Sequence, residues 1–201
     1  MKKRQKTVAT IVVMFAIVLA VAIGFWRIME SKQEKARQEE FTESDVKEVN
    51  DILKKDFSAN YPGTPREVLK VYSRILTCEY NMNLSDEDLK ALAEKMRELF
   101  DEELLKANPL DQQLEDLKKD VEEYQKAKRS ISSYVIDKDS SMVTKKIKGK
   151  ECLEATISYL LHEGKGYTKT YERFLLRKDE NGKWKILGWS LTGNQENEEK
   201  K

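Results

Sequence analysis

The chain has little of most residue types that carry chemistry. Its 201 residues include one histidine, His162, and two cysteines, Cys78 and Cys152. That inventory is too small for a Cys/His zinc site, and neither a Glu-x-x-His pair nor an Asp-rich calcium loop is present, so no metal site is expected. No Gly-rich phosphate loop and no Ser-nucleophile elbow occur among the eight glycines, so no cofactor is expected either. Two cysteines are no disulfide framework. They read as two small half-buried thiols, with a single disulfide as the alternative. A basic surplus is missing too. From Phe41 onward, 29 Lys and Arg stand against 32 Asp and Glu, a net of −3, which argues against nucleic acid as a partner. Lys145-Lys146-Ile147-Lys148 alternates with apolar neighbours and reads as the solvated face of a strand.

What the chain does have is one uncharged apolar run, Val8 to Trp26, interrupted only by Thr10 and Gly24 and preceded by Met1-Lys2-Lys3-Arg4-Gln5-Lys6. As a helix it would rise roughly 28 Å at ~1.5 Å per residue, close to the ~30 Å hydrocarbon core of a bilayer. A cleaved signal begins in the same way, and Ala20-Val21-Ala22 would serve as its cleavage site. The length of the run, and the apolar N-terminus such cleavage would leave, favour an uncleaved anchor. Trp26 and Arg27 suit the far interface. Basic residues number four on each side, so count gives no orientation. The denser, acid-free charge before the run places the N-terminus inside and the rest of the chain outside. The expected organisation is a cytoplasmic tail at 1–6, an anchor at 7–28, a charged stalk at 29–44, an α+β domain at 45–192 and a disordered tail at 193–201. The expected localisation is the cell membrane, single-pass, with the domain extracytoplasmic.

Within that domain the hydrophobic period changes from helical to two. Val46, Val49, Ile52, Leu53 and Phe57 form a first stripe. Thr64-Pro65-Arg66-Glu67 is a helix start with cap, N1 proline and capping box. Val68, Val71, Tyr72, Ile75 and Leu76 then face the core. Ser85-Asp86-Glu87-Asp88 opens a run at helical spacing through Leu89, Leu92, Ala93, Met96, Leu99, Phe100 and Leu104. Asn108-Pro109-Leu110-Asp111 opens another, with Leu110, Leu114, Leu117, Val121 and Tyr124. About two heptads are too few for a coiled coil, so this stripe packs on its own domain. From Ser130 the alternation predicts strands over Ile131–Asp137 and Met142–Lys148, joined by a turn at Asp137–Ser141. A longer strand over Glu151–Glu163 has Leu153, Ala155, Ile157, Tyr159 and Leu161 on one face. After a turn at His162–Gly166, Tyr167, Lys169, Tyr171, Arg173 and Leu175 alternate with Thr168, Thr170, Glu172, Phe174 and Leu176. Asp179-Glu180-Asn181-Gly182 is a second hairpin turn, and Lys183–Leu191 closes the sheet. Helices followed by a meander define an α+β fold, helices packed on a curved antiparallel sheet.

The order of elements from Pro65 to Leu191, ending in Tyr171-Glu172-Arg173-Phe174-Leu175-Leu176-Arg177-Lys178-Asp179-Glu180-Asn181-Gly182-Lys183-Trp184-Lys185-Ile186, resembles the nuclear-transport-factor-2-like, cystatin-like cone fold. A closer resemblance is to an uncharacterised bacterial family of membrane-anchored proteins, a domain of unknown function. Three stretches carry it: Tyr61 to Val68, Leu99 to Leu105, and Arg177 to Gly188. The first resemblance implies a curved sheet wrapped around a long helix, with a pocket in the cone; the second implies no activity.

Cone-fold enzymes move protons with pocket acids, histidines or tyrosines. His162 lies at a predicted turn and reads as a solvent-exposed histidine. Glu154 and Glu172 become bases of raised pKa if they point inward; the alternative is outward pairing with Lys or Arg on neighbouring strands. Tyr159, Tyr171 and Arg173 complete the candidate pocket set, against the alternative of core tyrosines with satisfied hydroxyls. No catalytic constellation is legible. The leading expectation is therefore a tethered binding or assembly module, engaging a protein partner or small ligand, with dimerisation through the open sheet face as one route. The rivals are an isomerase- or hydrolase-like enzyme and a structural envelope accessory.

Overall fold

A computed structural model describes residues 43–192. The apolar run Val8–Trp26, nearly all of the stalk and the C-terminal tail lie outside the described residues. Among the described residues no helix is long and apolar enough to cross a membrane.

Five helices come first: α1 (Glu43–Leu53), α2 (Pro65–Asn81), α3 (Asp86–Arg97), α4 (Glu102–Ala107) and α5 (Leu110–Lys126). Five strands follow: β1 (Arg129–Ile136), β2 (Val143–Ile147), β3 (Lys150–Glu163), β4 (Gly166–Lys178) and β5 (Trp184–Thr192). The local chemistry of the helix starts is as the sequence predicts. The Thr64 hydroxyl accepts from the Glu67 amide at 3.2 Å, and Glu67 Oε2 accepts from the Thr64 amide at 3.1 Å. This reciprocal pair satisfies donors that the first turn leaves orphaned. Ser85 caps α3 by accepting from the Asp88 amide at 3.1 Å.

The strands form one antiparallel sheet in the order β1-β3-β4-β5, with β2 also on β3. Here the structure corrects the expected meander, in which each strand would pair with the next. β1 and β2 do not pair with each other; they lie end to end along the same edge of β3. Ile136 pairs with Ile157, and Val143 with Glu154. A 3₁₀ turn at Asp139–Ser141 carries the chain between them. The reason is length. β3 has fourteen residues, more than either short strand spans, so its one open edge accommodates both. Asp137 fixes the junction: its carboxylate accepts from the Thr156 amide at 2.8 Å, and its own amide donates to the Thr156 carbonyl at 3.0 Å.

A second correction concerns the long run from Leu89 to Leu104, which is two helices rather than one. Between α3 and α4 the chain leaves the helix through a turn at Glu98 and Leu99 and makes a single parallel bridge to β5 at Phe100. The Asp101 amide donates to the Ile186 carbonyl, and the Ile186 amide donates to the Leu99 carbonyl, both at 2.8 Å. Asp101 then starts α4 by accepting from the Glu103 amide at 2.8 Å. The helical spacing persists because Leu99, Phe100 and Leu104 are still buried, although two of them sit outside a helix.

Val46 corrects the first stripe: it is 41 % exposed while Val49 and Ile52 are buried. Cys78 and Cys152 are free and fully buried rather than half-buried.

Cross-strand partners share a face. Ala155 with Phe174, and Phe174 with Trp189, put one face of β3, β4 and β5 toward the helices. Phe174 is wholly buried there, 5.1 Å from the Tyr72 ring of α2 and stacked on Trp189 at 5.6 Å. The opposite face carries Glu154, Thr156 and Ser158 against Leu175, Arg173 and Tyr171.

Candidate functional site

The helix-covered face leaves a cavity of about 270 Å³ between α2, α5 and the β1, β3, β4 and β5 strands. Each element presents its residues at its own period. From α2 come Tyr72, Leu76 and Tyr80, four apart; from α5 come Asp120 and Tyr124, also four apart. Strands contribute at intervals of two: Tyr159, Leu161 and Glu163 from β3, and Thr168, Thr170 and Glu172 from β4. Four of the chain's eight tyrosines thus line one space, joined by Trp189 of β5.

The aromatic walls are in mutual contact. Tyr80 and Tyr124 have ring centroids 4.5 Å apart, and Tyr72 lies 5.4 Å from Trp189 in an edge-on arrangement. Two hydroxyls are engaged: Tyr159 shares a hydrogen bond of 3.1 Å with Ser73, and Tyr80 donates to Asp120 Oδ2 at 3.4 Å. Burial raises the pKa values of all four tyrosines. They remain protonated hydrogen-bonding groups over the physiological range.

Arg129 and Glu163 face each other across the β1–β3 pair. The guanidinium donates to Glu163 Oε2 through Nε at 3.0 Å and Nη2 at 2.9 Å, and lies 5.0 Å from the Tyr124 ring centroid. Glu172 is different. It is 9 % exposed, and its Oε2 has no hydrogen-bond partner. Burial pushes its carboxyl up to about 7. Burial also pushes Asp120 up to about 6, helped by the nearby Glu123 charge. A second unpaired buried carboxyl, Glu79 of α2, is pushed up to about 8 by burial, but it is not part of the cavity lining.

The strand alternation divides the five candidate residues. Tyr159 and Glu172 line the cavity. Glu154, Tyr171 and Arg173 lie on the opposite face of the sheet, where Glu154 Oε2 meets Lys145 at 2.5 Å and Oε1 lies 3.7 Å from Arg173 Nε. The two alternatives for the strand acids are therefore each realised once: Glu172 inward with a raised pKa, Glu154 outward and paired. Tyr72, Tyr80, Asp120, Tyr124, Arg129 and Trp189 were not singled out as site residues by sequence. A signal was present for the helical ones, since Tyr72, Leu76 and Tyr80 recur at four on one stripe. His162 is on the outer face, 5.0 Å from the Tyr167 ring. Among the described residues no group of three His, Cys, Asp or Glu side chains is placed to hold a metal ion.

The other end of the sheet holds a contrasting cluster. Arg177 makes a bidentate pair with Asp101, Nε to Oδ2 at 2.7 Å and Nη2 to Oδ1 at 2.6 Å, and meets Glu103 at 2.9 Å. Nearby, the Tyr61 hydroxyl donates to the Trp184 carbonyl at 2.7 Å. The three stretches that carry the family resemblance thus meet here rather than at the cavity.

The structure defines an α+β domain with helices on one face of a five-stranded antiparallel sheet and an aromatic, acid-containing cavity between the layers. The chain belongs to the family Domain of unknown function (DUF6715), whose pattern matches residues 1–189. No curated protein matches it.

Proposed function

We propose that this protein is a membrane-tethered extracytoplasmic binding module that holds a small ligand in the cavity between α2, α5 and the sheet. The observation that carries the reading is Glu172: a carboxyl nine-tenths buried, with one oxygen unpaired, facing a space ringed by tyrosines. A buried polar atom without a partner costs about 1–3 kcal/mol, so its retention beside an open cavity favours a partner that arrives from outside. A mainly apolar space with a few convergent polar groups is the usual form of a small-molecule site, and about 270 Å³ suits a ligand smaller than a drug. The arrangement of helices over one sheet face, with the cavity between, supports the cone-like reading of the fold. Val8–Trp26 supports single-pass tethering, and the family match, which begins at residue 1, includes it. Dimerisation through the outer sheet face, where Val135 and Tyr167 are exposed, is compatible with ligand binding on the other face.

One observation favours a second reading. A carboxyl that titrates at about 7 inside a cavity is poised for proton transfer, so Glu172 would act as the general base or acid of an isomerase- or hydrolase-like enzyme. Thermal denaturation of the full chain against a panel of small aromatic, amine and acid compounds tests the binding reading. The expected result is stabilisation of the wild type by a subset, absent in Thr170→Trp, which fills the cavity. Equal shifts in both proteins would sink it. Chemical turnover of a stabilising compound, lost in Glu172→Gln, would select the enzyme. Protease accessibility of the domain in intact cells tests the topology, and protection until lysis would reverse it.

A further inference from the structure

Resting on the cavity-binding reading, we propose that the ligand is an organic cation: an ammonium group on a compact apolar body, seated on the aromatic walls with its charge toward Glu172 and Asp120. The charge inventory of the lining carries this. Helix α2 contributes no charge to it, α5 contributes Asp120, β1 Arg129, β3 Glu163, β4 Glu172 and β5 none. Arg129 is already committed to Glu163 through two hydrogen bonds. Two acids therefore remain without a cation in an ion pair. Asp120 accepts only from the Tyr80 hydroxyl at 3.4 Å, and Glu172 Oε2 accepts from nothing.

The walls point the same way. Tyrosine and tryptophan faces attract cations, most strongly where water is excluded. The protein already uses one of these rings so: the Arg129 guanidinium lies 5.0 Å from the Tyr124 centroid. A neutral ligand without a donor would leave Glu172 unpaired, and an anion would meet two carboxyls of its own sign. An ammonium satisfies both the orphaned oxygen and the ring faces.

The pH dependence follows. Glu172 titrates at about 7 and Asp120 at about 6, both raised by burial, so both are ionised by pH 8 and largely protonated at pH 5. Glu79, a buried residue of α2 outside the lining, is raised to about 8 by burial and adds negative charge only at the top of that range. Affinity for a permanently protonated amine should therefore rise with pH.

The test is isothermal titration of the full chain in detergent with three matched probes: phenethylamine, 2-phenylethanol and phenylacetate. At pH 8 the amine is expected to bind about tenfold or more tightly than the alcohol, and phenylacetate least. The advantage of the amine should shrink at pH 5. Glu172→Gln should remove most of it, with a larger loss for the amine than for the alcohol. Asp120→Asn, at a half-buried position, should reduce it in part, and it decides the matter should Glu172→Gln fail to fold. Equal binding of amine and alcohol, or tightest binding of phenylacetate, would overturn the cation proposal and leave the cavity reading standing. No binding of any probe, or amine binding that survives Thr170→Trp, would overturn both.

Discussion

Strand β4 buries two charged residues five positions apart, and they are treated in opposite ways. Arg177 is 7 % exposed and meets two carboxylates, one of them in a bidentate fork. Its partner Asp101 bonds to β5 through its own backbone amide and starts α4. Glu172 is 9 % exposed and meets no cation. Burial cost is offset at Arg177 and left open at Glu172. The difference separates a group that holds the fold together from one that the fold leaves open to a ligand. Alternation places them: Glu172 shares its face with Phe174 and the helices, while Arg177 points the other way, toward α4.

The sharpest break of this comparison is at the paired end. Arg177→Met should destabilise the full chain by about 3–5 kcal/mol in urea denaturation, because Asp101 is left buried and uncompensated. The double variant with Asp101→Asn should recover part of that loss; no recovery would mean that Arg177 acts through packing alone. The same operation at Glu172 should have the opposite sign. A carboxyl raised from 4.5 to about 7 has a native state that binds more protons than the unfolded state between those values, so its contribution is present at low pH and lost as pH rises through 7. Glu172→Gln should therefore stabilise the protein at pH 8 by up to about 3 kcal/mol, and flatten the decline between pH 5 and 8. Glu79→Gln should flatten the same decline at slightly higher pH, since Glu79 titrates at about 8. A loss of stability in Glu172→Gln at pH 8 would show a hidden cationic partner and erase the contrast.

Two smaller effects calibrate these. Tyr159→Phe removes the hydrogen bond to Ser73 inside the core and should cost about 1 kcal/mol in the same denaturation assay. Lys145→Ala removes a pair with Glu154 in which the lysine is 44 % exposed, and should change stability by less than about 1 kcal/mol, an effect that added salt diminishes.

Much of the framework was legible in the chain. The Thr64–Glu67 capping box, the proline start of α5, the β3–β4 and β4–β5 hairpins and the Leu153-to-Leu161 core face are set by contacts within a few residues or by one period, and the structure has them all. The end-to-end placement of β1 and β2 was not legible, because a turn sequence does not say which edge accepts a strand. The break at Leu99 was hidden as well, since buried residues kept helical spacing across it while the backbone bonded to β5, far along the chain. The candidate site was half legible. Alternation alone separates Glu172 from Tyr171 and Arg173, but it does not say which set faces the helices. The tyrosines of α2 and α5 looked like ordinary core, and only their convergence makes a cavity.

By itself the sequence determined the α+β class, the order of elements and the apolar run Val8–Trp26, because these follow from composition and local periodicity. The tertiary structure decided that Glu172 lies unpaired among four tyrosines while Glu154 and Arg177 find partners. Charge compensation depends on which residues from distant segments reach one another, and no local pattern encodes that distance.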